Sequence, residues 1–214
     1  MTCSSAGMLE FTREDLSAAE MDRLRRIYEP LTKSVRALID ATIRTEMDEA
    51  TVSEVTAQID AATTQLRTRQ LDGPYGVRYT YEGTGMAWGN PVIGVRNPIA
   101  PPVDLQFGDP GKVWADFHLG AAYEGPPGHV HGGVCALVLD HVLGEVASGG
   151  LTRPAFTGTI SCRYLRATRL GDLHTEATIE RIDGVKTFAV GHLADEEGIT
   201  VEAEGVFIIP KWAR

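Results

Sequence analysis

One apolar segment most constrains how this chain can fold. Residues 131–147 read HGGVCALVLDHVLGEVA, with Val and Leu side chains on nearly every side of a helix. A helix that is apolar all round has to be buried on all sides rather than along one stripe. Strand-like segments precede and follow it. The simplest packing is therefore a long sheet wrapped about one central helix, which predicts the α+β class.

The strand-like segments supply that sheet. Between residues 112 and 119, apolar side chains alternate with larger or polar ones, as in a strand with two unlike faces. Segments 158–165, 173–182, 187–195 and 200–209 follow, separated by short turns, and are expected to pair antiparallel. In the stretch 73–112, which is rich in glycine and proline, residues 77–81 and 92–95 are further candidate strands.

The first 72 residues obey different local rules. Of the 23 glycines only Gly7 lies before Gly73, and of the 11 prolines only Pro30 does. Apolar side chains here recur at steps of three and four, which predicts two or three amphipathic helices with breaks near Glu29-Pro30 and near Asp48. We therefore divide the chain into an N-terminal helical extension, residues 1–72, and a main domain, residues 73–214.

Composition excludes several classes of protein. The 214 residues carry 20 Lys and Arg against 29 Asp and Glu, a net charge of -9, so no basic surface is expected for nucleic acid. The three cysteines, Cys3, Cys135 and Cys162, are too few for a disulfide framework and fit a reducing compartment. No leader or membrane-spanning segment is recognisable, which predicts a cytoplasmic protein without a membrane span.

Two features of the buried segment point to chemistry. Gly132 and Gly133 open the helix, where free backbone N–H groups and the helix dipole would stabilise an oxyanion, although a loop that needs positive φ explains them equally well. Asp140 lies in the middle of the apolar helix, so its carboxylate must be paired, have a raised pKa or face a cavity. It is a candidate general base, against the alternative of a structural carboxylate.

The spacing of these two features predicts an oligomer. Gly132 and Asp140 are eight residues apart, which is about 12 Å along a helix. They cannot both serve one carbonyl from the same subunit. If both act in one reaction, the site lies at the interface of a homodimer, or of a dimer of dimers.

Other chemistries find less support. His131 and Cys135 would share a helix face, as a thiolate mechanism needs, but cysteine in an apolar helix is usually a buried hydrophobe. His129 and His131 begin a zinc-like pattern that the following glycines do not complete. No G-x-S-x-G, P-loop or G-x-G-x-x-G motif occurs. We expect no metal and no cofactor.

The segment YEGPPGHVHGGVCALVLDHVLGEVA resembles the signature of hotdog-fold acyl-CoA thioesterases of the PaaI type, in the branch with a glycine-proline loop before His-Gly-Gly. FTGTISCRYLRATRLGDLHTEATI resembles the next two strands of that family. The resemblance covers about the C-terminal two thirds of the chain. It implies a hotdog fold and hydrolysis of a fatty or aromatic acyl-CoA, with CoA entering as part of the substrate.

The resemblance also implies roles for individual residues. Asp140 matches the catalytic base or nucleophile, and Gly132 matches the glycine whose N–H polarises the thioester carbonyl. His131 matches a residue that organises the loop, and Thr157 a hydroxyl that positions water. The candidate substrate and CoA contacts are Gly133, Arg163, Arg166 and Lys186.

One position departs from the family pattern, and two other functions stay open. Gly125 stands where many PaaI-type enzymes carry an asparagine, which puts the positioning of water in doubt. Among enzymes, the alternative is an acyl-CoA hydratase or dehydratase on the same fold, but the histidine–carboxylate motifs of those enzymes are not found in this chain. From another class, the alternative is a non-catalytic acyl-CoA or lipid binder. The N-terminal helices could form a lid, extend a dimer interface or bind another protein.

Overall fold

Helix α3, Gly132–Ser148, lies at the centre of the structure, a computed structural model that describes residues 12–109 and 111–214. Val138, Leu139, Val142 and Leu143 on this helix are all 0% exposed. Strands on the concave side of the sheet supply the facing apolar side chains. Gly133 and Leu137, one turn apart on another face, are exposed, so the prediction of burial on all sides is wrong for that face.

Six antiparallel strands wrap around α3. Their order across the sheet is β4-β5-β7-β8-β9-β6. This is the hotdog arrangement that the sequence predicted. The strands are β4, Gln106–Phe107; β5, Lys112–Leu119; β6, Phe156–Tyr164; β7, Gly171–Asp183; β8, Lys186–Asp195; and β9, Gly198–Ile208.

Two helices precede this domain: α1, Ala18–Arg44, and α2, Glu49–Arg67. The predicted break near Asp48 is confirmed, because the Asp48 side chain caps α2 by accepting a hydrogen bond from Thr51 N–H. The predicted break at Glu29-Pro30 is wrong, since α1 continues through Pro30. A proline removes one backbone donor, and ion pairs from Glu29 to residues one turn before and after it support the helix across that point. The helices in the described ranges are too short or too polar to cross a lipid bilayer.

A small sheet connects the N-terminal part to the main domain. Its strands are β1, Thr12–Arg13, β2, Arg78–Tyr79, and β3, Gly85–Met86, in that order. The predicted strand 77–81 is thus reduced to Arg78–Tyr79. The predicted strand 92–95 is wrong, because the Asn90 side chain accepts hydrogen bonds from the N–H groups of Val92 and Ile93 and curls the backbone into a turn.

The N-terminal helices also contact the main domain. Helix α1 contacts the short 3-10 turn Ala121–Tyr123, and the Arg96 guanidinium lies 3.8 Å from the ring centre of Tyr28. Cys3 and the first residues of the predicted extension lie outside the described residues. The division at residue 72 stays a prediction.

Candidate functional site

Asp140 and Thr157 meet where α3 faces the edge strand β6. The Thr157 hydroxyl donates a hydrogen bond of 2.9 Å to Asp140 Oδ1. The pairing of β6 with β9 slips between Thr157 and Thr159, and such a bulge re-aims the neighbouring side chain. A Cβ on Gly158 would lie 2.8 Å from Ile208 Cδ1, so glycine suits the bulge. Folding thus brings together two residues that the sequence predicted as catalytic.

A cavity of about 240 Å³ extends from this pair. Asp140 and Thr157 lie in its lining, and the other walls come from α3, from β9, from residues 77–79 and from residues 151–156. Most of the walls are apolar, with Val77, Leu151, Pro154, Phe156 and Phe207 among them. A carboxylate and a hydroxyl at an apolar cavity are suited to bind an organic acyl group and to activate water beside it.

The start of α3 carries a free backbone donor. His131 caps the helix: its Nδ1 accepts a hydrogen bond of 3.0 Å from Gly133 N–H, and its carbonyl accepts from Val134 N–H. No described residue accepts a hydrogen bond from Gly132 N–H. The Tyr164 hydroxyl donates to the Gly132 carbonyl oxygen at 2.8 Å. Gly132, rather than Gly133, therefore presents the donor that could polarise a carbonyl.

The structure does not bring Gly132 and Asp140 together within one chain. Both lie on the single continuous helix α3. Eight residues at a rise of 1.5 Å separate their backbones by about 12 Å. A site that uses both groups needs a second copy of the chain.

Gly125 is required by the shape of the loop before α3. A Cβ on Gly125 would lie 2.7 Å from His131 Cα, closer than real Cβ contacts occur. The Gly125 N–H donates to His129 O at 2.9 Å, which holds the turn against the helix start. An asparagine at this position would displace the backbone of His131, so the loop positions the cap without a side chain at residue 125.

The three predicted basic contacts do not form one cluster within a chain. Arg166 forms a two-pronged ion pair with Asp195 and donates to Gly198 O at 2.9 Å. Its hydrogen bonds hold the pKa of Asp195 well below the usual range. Arg163 pairs with exposed Glu202 at 3.0 Å. Lys186 is the first residue of β8 and lies six residues, about 20 Å, along that strand from His192. His192 pairs with Glu202, the partner of Arg163, so Lys186 is far from Arg163.

Sequence reasoning missed a buried polar pair beside Asp140. The His141 and Glu145 side chains are 15% and 5% exposed, and His141 Nε2 lies 3.4 Å from Glu145 Oε1. Burial raises the pKa of Glu145 to about 7 and lowers the pKa of His141 to about 4. Between these pH values both groups are neutral. The signal that singled out Asp140, a charged residue type inside an apolar helix, applies equally to Glu145.

Cys135 and the two histidines of the loop are held in structural contacts. Cys135 is buried with Sγ 3.7 Å from Thr168 Oγ1, and burial raises the pKa of its thiol, which disfavours a thiolate. His129 Nδ1 donates to Pro127 O at 2.8 Å. Within the described ranges, no group of three or more His, Cys, Asp or Glu side chains is arranged to hold a metal ion.

Comparison with known proteins points in one direction. Residues 127–202 match the thioesterase superfamily. A solved thioesterase superfamily protein is 32% identical, with 85% of this chain and 94% of that protein covered and a TM-score of 0.75. A comparison with curated proteins gave no match.

Two further solved structures share about half of the chain. A phenylacetic acid degradation-related protein from Ralstonia eutropha JMP134 is 22% identical, with 50% of this chain and 85% of that protein covered and a TM-score of 0.47. A protein from Streptococcus mutans UA159, solved bound to acetyl-CoA, is 17% identical, with 50% and 88% covered and a TM-score of 0.47.

Proposed function

This chain belongs to the thioesterase superfamily, and from that membership we propose that it hydrolyses an acyl-CoA thioester to a free acid and CoA. The observation that carries the proposal is the hydrogen bond of 2.9 Å between Thr157 and Asp140 beside an apolar cavity. The His-Gly-Gly start of α3 and its glycine-proline loop support placement in the PaaI-type branch.

The residues suggest a mechanism in two steps. Asp140 accepts a proton from a water that the Thr157 hydroxyl helps to orient, and the oxygen of that water bonds to the thioester carbon. The carbonyl oxygen becomes an oxyanion, which accepts a hydrogen bond from the Gly132 N–H of a second copy. The intermediate then collapses: the carbon–sulfur bond breaks, and the proton held by Asp140 passes to the CoA thiolate.

A second copy is proposed because β6 is an open edge. Strand β6 is the last strand of the six-stranded sheet, and its residues are mostly exposed. A long unpaired edge strand is a template for pairing with another chain. Thr157 lies on this edge, so a dimer formed there would place the site at the interface. Pairing of two such dimers would give the tetramer.

Thiol release tests the function. We expect the wild type to release free thiol from members of an acyl-CoA panel, and Asp140→Asn to reduce kcat about 100-fold or more, the range of a general base. Asp116→Asn is the matched control, because Asp116 is an exposed carboxylate on β5 that pairs with His174. Circular dichroism confirms that each variant folds.

Two results would contradict the proposal. An Asp140→Asn protein with the full rate would remove the carboxylate from the mechanism. Tight binding of acyl-CoA without any thiol release by the wild type would instead make the chain an acyl-CoA-binding protein.

A further inference from the structure

Leu151 has a backbone conformation that leucine rarely adopts. Its φ is 64°, and it is the one residue other than glycine with a positive φ in the described ranges. Gly149 and Gly150 immediately before it have φ values of 62° and 67°. In this left-handed region a glycine costs little, whereas a side chain crowds the backbone. Strain of this kind persists only where the surrounding structure holds the residue in place.

Contacts with the small sheet hold Leu151 there. A Cβ on Gly85 in β3 would lie 2.9 Å from Leu151 Cδ1, so the leucine side chain packs directly on the β3 backbone. The Tyr79 hydroxyl in β2 donates to the Leu151 carbonyl oxygen at 3.4 Å. Contacts with β2 and β3 thus fix Leu151 in position.

Leu151 separates two cavities. It lies in the lining of the cavity of about 240 Å³ that contains Asp140 and Thr157, which we call the acyl pocket. It also lies in the lining of a second cavity of about 560 Å³, between α1, residues 85–107 and loop 149–155, which we call the outer cavity. Glu145, on α3, is the other residue in both linings. The side chains of Leu151 and Glu145 therefore form the wall between the two spaces.

The volume of the acyl pocket limits what it can hold. A protein cavity of about 150 Å³ accommodates one benzene ring, that is, six carbon atoms. On the same scale, about 240 Å³ holds roughly ten heavy atoms. A single ring or a short or branched chain fits this volume, whereas a long fatty chain exceeds it.

We propose that Leu151 is a specificity-determining residue that restricts the enzyme to compact acyl groups by closing the acyl pocket against the outer cavity. This inference rests on the proposed thioesterase function and names its substrate class. A side chain at this position completes the wall with Glu145, which accounts for a leucine where the backbone favours glycine. Glycine would suit the backbone but leave the two cavities joined.

Two variants test the wall separately from the strain. Leu151→Gly and Leu151→Ala both remove most of the side chain, but only glycine also relieves the positive φ. We expect the wild type to hydrolyse hexanoyl-CoA and benzoyl-CoA in preference to hexadecanoyl-CoA. In both variants the ratio of kcat/KM for hexadecanoyl-CoA to that for hexanoyl-CoA should rise about tenfold or more. Leu151→Gly should have the higher Tm of the two.

The matched control is Leu71→Gly, which removes an exposed leucine from the linker after α2. It should leave the ratio of the two kcat/KM values unchanged. A wild type that prefers hexadecanoyl-CoA, or a ratio that stays the same in both Leu151 variants, would overturn the proposal.

Binding separates this proposal from the proposed function. Calorimetry on Asp140→Asn, with and without Leu151→Gly, measures the Kd of hexanoyl-CoA and hexadecanoyl-CoA without turnover. Suppose that the wild type hydrolyses none of the substrates, whereas Leu151→Gly selectively tightens the binding of hexadecanoyl-CoA. The hydrolysis proposal then fails, and the proposal that Leu151 closes the pocket stands. If the wild type hydrolyses the panel and neither Kd responds, the wall proposal fails alone.

Discussion

At the residue scale, the neutral pair His141 and Glu145 makes stability depend on pH in two opposing ways. The raised pKa of Glu145 gives a contribution that is fully present below about 4.5 and is lost as pH rises to about 7. The lowered pKa of His141 gives a contribution that is present above about 6.5 and is lost as pH falls to about 4. Between 4.5 and 6.5 the two dependences cancel.

Replacing Glu145 by glutamine should leave only the pH dependence of stability that is due to His141. Below pH 4.5 residue 145 is neutral in wild type and in the variant, in both the folded and the unfolded state. Between pH 4.5 and 7, Glu145 of the wild type is ionised in the unfolded state and still protonated in the folded state. Glu145→Gln should therefore gain stability relative to wild type by about 1.4 kcal/mol per pH unit, about 3 kcal/mol in total by pH 7, and then level off. Urea unfolding at pH 5, 6, 7 and 8 measures the difference.

The control for this prediction is Glu54→Gln on the exposed helix α2, which should show no such trend. A constant difference between wild type and Glu145→Gln across the four pH values would mean that Glu145 is ionised throughout.

Single residues also mark how far sequence reasoning reached. Asp140 was predictable because a carboxylate in an apolar helix has to be accounted for, and folding placed it beside Thr157 and a cavity. The positive φ of Leu151 was not predictable, because nothing in the sequence around it indicates this conformation. Its conformation depends on contacts with Tyr79 and Gly85, which lie more than sixty residues earlier in the chain.

At the element scale, Arg166 ties the loop after β6 to the turn between β8 and β9. Its partner Asp195 has a side chain that is only 2% exposed, so removing the guanidinium strands a buried carboxylate. Two backbone N–H groups, of Arg169 and Glu197, would still donate to that carboxylate. We expect Arg166→Ala to lower Tm by several degrees while KM for acyl-CoA changes less than about twofold.

Arg163→Ala is the comparison for this prediction, since Arg163 forms an exposed ion pair with Glu202 that should contribute little to Tm. Thermal unfolding and steady-state kinetics on both variants decide the role of Arg166. An unchanged Tm with a large rise in KM would show instead that Arg166 binds CoA.

Elements were predictable where one residue pattern dominates. The strands from residue 112 onward and helix α3 follow from alternation and from an all-round apolar surface, and both survive in the fold. The predictions of a break at Pro30 and of a strand around Val92 were wrong because local contacts outweighed the residue pattern. Ion pairs support α1 across the proline, and one asparagine side chain turns an apolar run into a loop.

At the scale of the whole molecule, the proposed site needs two chains, and a mixture of two inactive variants can test this. Gly132→Pro removes the free N–H, and proline is tolerated at the first position of a helix when an extended residue precedes it, as His131 does. A Cβ there meets Tyr164 at no less than 3.5 Å. Each mixed dimer with Asp140→Asn would contain one intact site.

Co-expressed variants should therefore recover about a quarter of the wild-type activity, because half of the dimers are mixed and one of their two sites is intact. Each variant alone should be nearly inactive. A mixture as inactive as its components would contradict a site shared between two chains, whereas full activity of Gly132→Pro alone would exclude Gly132 from the site.

The strained leucine also has an evolutionary consequence. Substitutions that reshape a pocket commonly cost stability, which limits how far an enzyme can drift towards new substrates. At position 151 the usual conflict is reduced, because exchanging leucine for glycine relieves an unfavourable φ while it joins two cavities. A lineage carrying this loop could accept longer acyl groups by one change, with little need of a compensating mutation elsewhere.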